Sequence, residues 1–172
     1  MKSAGNDFEE EHLVLERLAA ELEYSWKPFV VDGQHLTFSE HLSTRLESHR
    51  CSHWGPAVYK WEGPTTDGPH AGQIGLLIGE TSDLRQRIKQ YVSGTQERGN
   101  KLWREIFLSR GDARLYTLAS WSLAVVAHDG AHTRFGPDAL TSPNVRLVLE
   151  QLLVMRAVSD ADASVWVVNA RQ

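Results

Sequence analysis

The sequence predicts a domain of the α/β class, because two short apolar strands precede an amphipathic helix and a second, longer helix. The strands cover residues 57–61 and 73–78, and apolar side chains alternate between the two faces of the second one. The first helix has an apolar stripe at Leu84, Ile88 and Tyr91 or Val92.

The second helix begins near Pro143, a residue suited to a first helical turn, and continues to about residue 158. A third strand is predicted over residues 113–119 and a last strand over 165–168. The segment 121–127 fits either a strand or a helix.

The N-terminal third is predicted to be helical. Leu15, Leu18 and Leu22 recur at helical spacing within residues 8–24, and a second helix is expected over 39–49. We therefore expect a helical N-terminal extension over residues 1–55 and a main domain over residues 56–172.

The link between the second strand and the next helix combines a glycine with polar residues. Gly79 follows the apolar strand, and Thr81 or Ser82 can cap the helix by accepting a backbone hydrogen bond. Asp83 stands where the helix dipole favours an acid.

Composition narrows the class of protein. The chain has 172 residues, of which 41% are hydrophobic and 23% charged, as expected for a globular domain. No apolar run approaches the ~20 residues needed to cross a bilayer, so no membrane association is expected. Cys51 is the only cysteine, which excludes an intrachain disulfide and fits a cytoplasmic protein.

Charge is unevenly distributed along the chain. The net charge is −4, yet residues 85–114 contain eight basic and three acidic residues. A basic segment in an acidic chain is compatible with a local phosphate-binding face. On charge alone, a solvated helix surface is the more common explanation.

The motif residues resemble those of the GIY-YIG nuclease superfamily. Ala57-Val58-Tyr59 is similar to the first triplet of that family and Leu77-Ile78-Gly79 to the second. The helix-start signature is matched by Thr81, Asp83, Leu84, Arg87 and Tyr91. The resemblance implies a small, mostly antiparallel three-stranded sheet flanked by helices, and an enzyme that cleaves phosphodiester bonds.

The resemblance also assigns roles to single residues. Tyr59 matches the first motif tyrosine, Arg87 the helix arginine and Tyr91 the residue one turn later, so all three are candidate catalytic residues. Glu150 looks like the glutamate that binds Mg²⁺ or Mn²⁺ in the family. Leu77 replaces the second motif tyrosine, which is a departure from the pattern.

Further residues are candidates for contacts with the DNA phosphate backbone. Asn169 is similar to the asparagine found near the end of restriction-type members, and Lys89, Lys101 and Arg104 supply positive charge.

The chemistry of these residue types suits phosphodiester hydrolysis. A guanidinium such as that of Arg87 presents a planar fork of donors to phosphate oxygens. A single carboxylate such as that of Glu150 suits a hard cation that keeps most of its waters. The Tyr59 hydroxyl can orient or deprotonate the attacking water, and Tyr91 projects from the same helix face as Arg87.

Each of these residues also has an ordinary structural explanation. Tyr59 can be a strand aromatic and Tyr91 a core residue. Arg87 can pair with an acid one turn earlier, at Asp83. Glu150 can pair with Arg146, also one turn earlier, among largely apolar neighbours.

Three hypotheses about function follow. The first is a metal-dependent DNA endonuclease, of the restriction type, compatible with a homodimer because a duplex has two strands to cut. The second is a GIY-YIG-fold module that binds nucleic acid or a protein without cleavage, since the tyrosine is lost at Leu77. The third is an unrelated α/β domain in which the pattern arises by chance.

Overall fold

The fold is described from a computed structural model, which covers residues 19–38, 54–93, 112–127 and 130–168. It is an α+β fold, in agreement with the broad α/β class expected. The strands are β1 (Ala19–Pro28), β2 (Val30–Val31), β3 (Gln34–His35), β4 (Ala57–Pro64), β5 (Ile74–Thr81), β6 (Arg114–Val126), β7 (His132–Phe135) and β8 (Val165–Val167). The helices are α1 (Leu84–Ser93) and α2 (Pro143–Asp160), with 3₁₀ turns at Gly68–His70 and Pro137–Thr141.

The main sheet has six strands, so the expectation of three strands is wrong. Its order is β1-β6-β4-β5-β8, and β7 pairs with β6 away from this path. The three strands expected from the sequence are its centre, β6-β4-β5. The sheet is antiparallel except for β8, which runs parallel to β5. Of the extra strands, β1 and β8 pair with segments distant along the chain, which local patterns do not reveal. β7 pairs with β6, the strand just before it.

Strand β1 contradicts the helix predicted over residues 8–24. Residues 19–24 are extended and pair with β6 in an antiparallel ladder that runs from Ala19 opposite Val126 to Pro28 opposite Tyr116. The long β6 pairs with β1 along its length, apart from an irregularity between Ser25 and Trp26, and this pairing overrides the helical spacing of the leucines. Residues 8–18 and the helix expected over 39–49 lie outside the described residues.

The other predicted elements lie close to their expected positions. The strands predicted at 57–61 and 73–78 are β4 and β5, each longer than expected at its C-terminal end. The ambiguous segment 121–127 belongs almost entirely to β6. The long helix is α2, and the last strand is β8.

Alternation along β4 and β5 places a hydrophobic core on each face of the sheet. One core lies under α1, where Trp61 and Leu77 pack with Ile88. The other lies under α2, where Val58 and Ile78 are grouped with Leu149 and Leu153. The two helices therefore cover opposite faces of the same pair of strands, and side chains near the end of β5 can approach either helix.

The start of α1 is capped by Asp83, not by Thr81 or Ser82 as expected. The Asp83 Oδ1 atom accepts a hydrogen bond of 2.9 Å from the Gln86 backbone N–H. Thr81 has a supporting role, because its hydroxyl accepts a hydrogen bond of 3.1 Å from the Asp83 N–H. The carboxylate of Asp83 is thus committed to the helix end.

The C-terminal strand is tied to the loop between β4 and β5. The Trp166 indole N–H donates a 2.8 Å hydrogen bond to the buried Thr65 hydroxyl. The His70 ring stacks on the Trp166 ring with centroids 4.1 Å apart. The Val168 N–H then donates to the Leu76 carbonyl at 2.9 Å, so β8 is held along β5.

Neither helix within the described residues combines the length and the hydropathy needed to cross a membrane.

Candidate functional site

Two tyrosine hydroxyls meet between the sheet and α1. Tyr59 comes from β4 and Tyr91 from α1, and they are 2% and 4% exposed. Their hydroxyl oxygens share a hydrogen bond of 3.1 Å. Gly79 is the residue opposite Tyr59 on β5. A Cβ atom at position 79 would lie 2.6 Å from the Tyr59 hydroxyl oxygen, so only glycine leaves room for the ring.

Two charged side chains act on the Tyr59 hydroxyl. Burial is the main cause that raises the pKa of Tyr59 well above its usual value, and the neighbouring Tyr91 raises it further. The positive charge of Arg87 lowers this pKa, while the negative charge of Glu150 raises it. The Tyr59 hydroxyl is therefore protonated at neutral pH and lies within the electric field of both groups.

Arg87 is half-buried on α1 and has no ion-pair partner in the part of the chain that the structure describes. Its Nε atom is buried without a hydrogen-bond partner among those residues. The pairing with Asp83 considered from the sequence is absent there, because the Asp83 carboxylate caps α1. The guanidinium of Arg87 is thus available to an incoming anion.

Glu150 is half-buried on α2 and likewise has no ion pair or hydrogen bond within the described ranges. Burial raises its pKa first, and the charge of Glu80 raises it further, whereas the charge of Arg87 lowers it. The charge of Arg87 lowers the pKa of both Tyr59 and Glu150, against the larger effect of burial on each. Tyr59 lies opposite Gly79, near the C-terminal end of β5.

The alternative partner of Glu150, Arg146, is engaged elsewhere. Its Nε donates a 2.8 Å hydrogen bond to Glu80 Oε2. Its Nη1 donates to the carbonyl oxygens of Leu140 and Thr141 at 2.7 and 3.1 Å. The ion pair between Arg146 and Glu150, one of the two alternatives considered from the sequence, does not form among the described residues, and Arg146 pairs with Glu80.

Glu80 and Arg146 are the site residues that the sequence analysis missed. The chain does carry a signal for them: Glu80 continues the face of β5 that holds Ile78, and Arg146 shares the sheet-facing stripe of α2 with Leu149 and Leu153. Charged residues on two apolar faces that pack together need partners, and here they are each other's partner.

The remaining candidates are placed differently. Leu77 is 2% exposed and lies opposite Trp61 in the core under α1. Lys89 is exposed, and its position is about 160° around α1 from that of Arg87. Lys101, Arg104 and Asn169 lie outside the described residues.

The described residues of this site offer few protein ligands for a metal ion. Within the ranges that the structure describes, no group of three or more His, Cys, Asp or Glu residues could hold a metal. Glu80 is paired with Arg146, which leaves Glu150 as the free carboxylate of the site. One carboxylate fits Mg²⁺ or Mn²⁺ where water supplies the other ligands, and a substrate phosphate can replace some of that water.

The chain matches no protein-family model, no curated protein and no solved structure.

Proposed function

We propose that this protein is a metal-dependent endonuclease of the GIY-YIG type that hydrolyses DNA phosphodiester bonds. One observation carries the proposal. A guanidinium and a carboxylate, from Arg87 and Glu150, both act on the Tyr59 hydroxyl, and neither has an ion-pair partner in the described part of the chain. An anionic phosphate and a cation are the partners that these two groups lack.

Each side chain has a defined task in this proposal. Arg87 binds a non-bridging phosphate oxygen and neutralises the charge that develops there. Glu150 holds Mg²⁺ or Mn²⁺, which when bound supplies charge neutralisation at the phosphate and at the leaving oxygen. Tyr59 orients the attacking water, and the Tyr91 hydroxyl fixes the direction of the Tyr59 hydroxyl.

The contacts with DNA extend beyond these four residues. Lys89, Lys101, Arg104 and Asn169 bind the phosphate backbone in this proposal. Because Lys89 lies on the exposed side of α1, it would reach a phosphate other than the scissile one. We further propose a restriction-type, cytoplasmic enzyme that acts as a homodimer, since each copy has one site and a duplex has two strands.

A second candidate function is a module that binds nucleic acid or a protein partner without cleavage. The burial of both tyrosines favours it, because at 2% and 4% exposure their hydroxyls have little access to water. The raised pKa of Tyr59 also opposes its action as a base unless a bound cation offsets the effect. Leu77 in the core adds no replacement hydroxyl.

Cleavage of plasmid DNA separates the two candidates. The purified full chain is incubated with supercoiled plasmid and Mg²⁺ or Mn²⁺, beside Glu150→Ala and Arg87→Ala. Matched controls are Glu23→Ala, an exposed acid on β1, and Arg156→Ala, an exposed arginine on α2. The nuclease proposal expects nicking or linearisation by the parent and both controls, and its loss in the two site variants.

Other outcomes have distinct meanings. Cleavage that persists unchanged in Glu150→Ala would contradict the role of Glu150. Salt-dependent DNA binding without cleavage, weakened by Arg87→Ala, would favour the binding module. A chain that neither binds nor cleaves DNA would contradict both the nuclease and the nucleic-acid-binding module, and would leave only a protein partner for the second candidate.

A further inference from the structure

Arg146 on α2 forms its ion pair with Glu80 on β5, and not with Glu150 on its own helix. Arg146 lies one helical turn before Glu150 on α2, and oppositely charged residues at this spacing commonly pair. The same helix contains an example: Arg156 Nε contacts Asp160 Oδ2 at 2.7 Å, four residues apart, on the exposed part of α2. An arginine and an acid one turn apart therefore do pair on this helix.

At the buried end of the helix, the nearest equivalent pair does not form. Arg146 directs its Nε to Glu80 at 2.8 Å and its Nη1 to two carbonyl oxygens of the Pro137–Thr141 turn. The side chains of Arg146 and Glu80 are 6% and 26% exposed, so a guanidinium deprived of Glu80 would stay largely out of water. A buried arginine without a counter-ion is strongly unfavourable, which drives it toward another carboxylate.

Glu150 is the carboxylate within reach. It lies four residues after Arg146, one turn along α2, a spacing that an arginine side chain can span. Pairing with Arg146 would neutralise the charge that a cation needs.

We propose that Glu80 is a positioning residue that, by binding Arg146, prevents Arg146 from pairing with Glu150 and so keeps the Glu150 carboxylate free to bind a divalent cation. This inference rests on the proposed function for the cation, whereas the change of partner by Arg146 does not. Glu80 itself contacts neither cation nor DNA in this proposal.

Two substitutions of Glu80 separate its role from a general loss of charge. Glu80→Leu removes the acceptor and releases Arg146, whereas Glu80→Gln removes the charge but keeps an oxygen that can accept from Arg146 Nε. A third variant, Glu80→Leu with Arg146→Met, removes the released arginine as well.

The first measurement is Mn²⁺ binding to the full chain without DNA, by electron paramagnetic resonance. Glu80→Leu is expected to weaken Mn²⁺ binding at least about tenfold, the range found when a residue that orients a metal ligand is lost. Glu80→Gln is expected to bind Mn²⁺ with an affinity between those of the parent and Glu80→Leu, because its amide oxygen still accepts from Arg146 Nε but carries no charge. The double variant is expected to bind Mn²⁺ more tightly than Glu80→Leu, because no arginine remains to occupy Glu150.

A purely structural role for the ion pair predicts the opposite order. The double variant would then bind Mn²⁺ as weakly as Glu80→Leu or more weakly. That result, or parental binding by Glu80→Leu, would overturn the inference. If Glu80→Leu does not fold, Glu80→Thr replaces it, since threonine suits a strand and is too short to reach Arg146.

The second measurement is a crystal structure of the Glu80→Leu variant. A guanidinium nitrogen of Arg146 is expected within 4 Å of a Glu150 carboxylate oxygen, a geometry defining a salt bridge. If the parent binds no Mn²⁺ and cleaves no DNA but Arg146 moves to Glu150, the proposed function fails and the change of partner stands. If Arg146 stays away from Glu150, the inference fails whatever the activity.

Discussion

The ring of Tyr59 lies directly over Gly79, the residue opposite it on the neighbouring strand. A Cβ atom at position 79 would be 2.6 Å from the Tyr59 hydroxyl oxygen and 2.7 Å from Cζ, closer than side-chain atoms approach each other. Glycine at position 79 is thus required by packing, independently of any turn.

Gly79→Ala is therefore expected to displace the Tyr59 ring and to lower the free energy of unfolding by about 1–3 kcal/mol, as overpacking in cores does. Urea unfolding measures this. Gly55→Ala is the control, because a Cβ there meets no atom within 4 Å. Equal stability of the two variants would show that the ring adapts without cost.

The buried hydroxyl pair predicts a non-additive result. Tyr91→Phe leaves the Tyr59 hydroxyl buried without its partner, which is expected to cost about 1–3 kcal/mol of stability. The double variant with Tyr59→Phe removes both hydroxyls and is expected to cost less than the sum of the single changes. Tyr24→Phe, at a β1 tyrosine that is 38% exposed, serves as the control; additive costs at positions 59 and 91 would contradict a shared hydrogen bond.

The cap of α1 predicts which polar residue stabilises the helix. Asp83→Ala is expected to lower the free energy of unfolding by about 0.5–2 kcal/mol, because the Gln86 N–H loses its acceptor. Ser82→Ala, one residue earlier and exposed, is expected to have little effect. Thermal or urea unfolding of the two variants decides, and a larger loss at Ser82 would reverse the assignment.

The raised pKa of Glu150 predicts how stability depends on pH. Burial, and then the charge of Glu80, make the folded chain bind the Glu150 proton more tightly than the unfolded chain does. Between the ordinary glutamate pKa of about 4.3 and the raised value, the unfolded chain holds fewer protons. This group's contribution therefore lowers stability as pH rises through that window.

Glu150→Gln removes this dependence. Compared with the parent, the variant is expected to become relatively more stable as pH rises from about 4.3 through the window, in urea unfolding at a series of pH values. Glu23→Gln, which changes an exposed acid, controls for the loss of a charge. Parallel pH curves for parent and Glu150→Gln would show that the pKa is not raised.

The local parts of the fold could be predicted from the sequence. β4, β5 and α2 each carry a clear period of apolar residues, and the motif between Gly79 and Leu84 marks where strand gives way to helix. The two strands end a few residues later than predicted, because the backbone pairing of β4 with β5 continues past the last apolar residue of each strand.

Strand β1 could not be predicted in this way. Leu15, Leu18 and Leu22 have helical spacing, whereas Leu22, Tyr24 and Trp26 alternate as in a strand. Both periods share Leu22, and the choice is made by a partner strand almost a hundred residues away: Ser25 pairs with Ser120. The local pattern of one sequence gives no information about a partner strand so distant along the chain.

Some residues of the candidate site could likewise be predicted from the sequence, and others could not. Tyr59, Arg87, Tyr91 and Glu150 stand out from residue pattern and family resemblance, and their roles stay a proposal. The pairing of Arg146 with Glu80 did not follow from the pattern, because spacing along α2 favours Glu150 and the actual partner is 66 residues away. Burial on both apolar faces makes that distant partner the better one.

Strand β8 also covers the edge of β5, where another copy of the chain could otherwise add a strand. It runs along the outer side of β5, and the contacts of Trp166 with Thr65 and His70 fasten it there. A chain truncated before Val165 would expose the backbone donors and acceptors at the start of β5 next to Ile74, already 37% exposed. An unpaired strand edge of this kind can pair with another chain and so promote aggregation. The short strand β8 therefore protects the protein against aggregation.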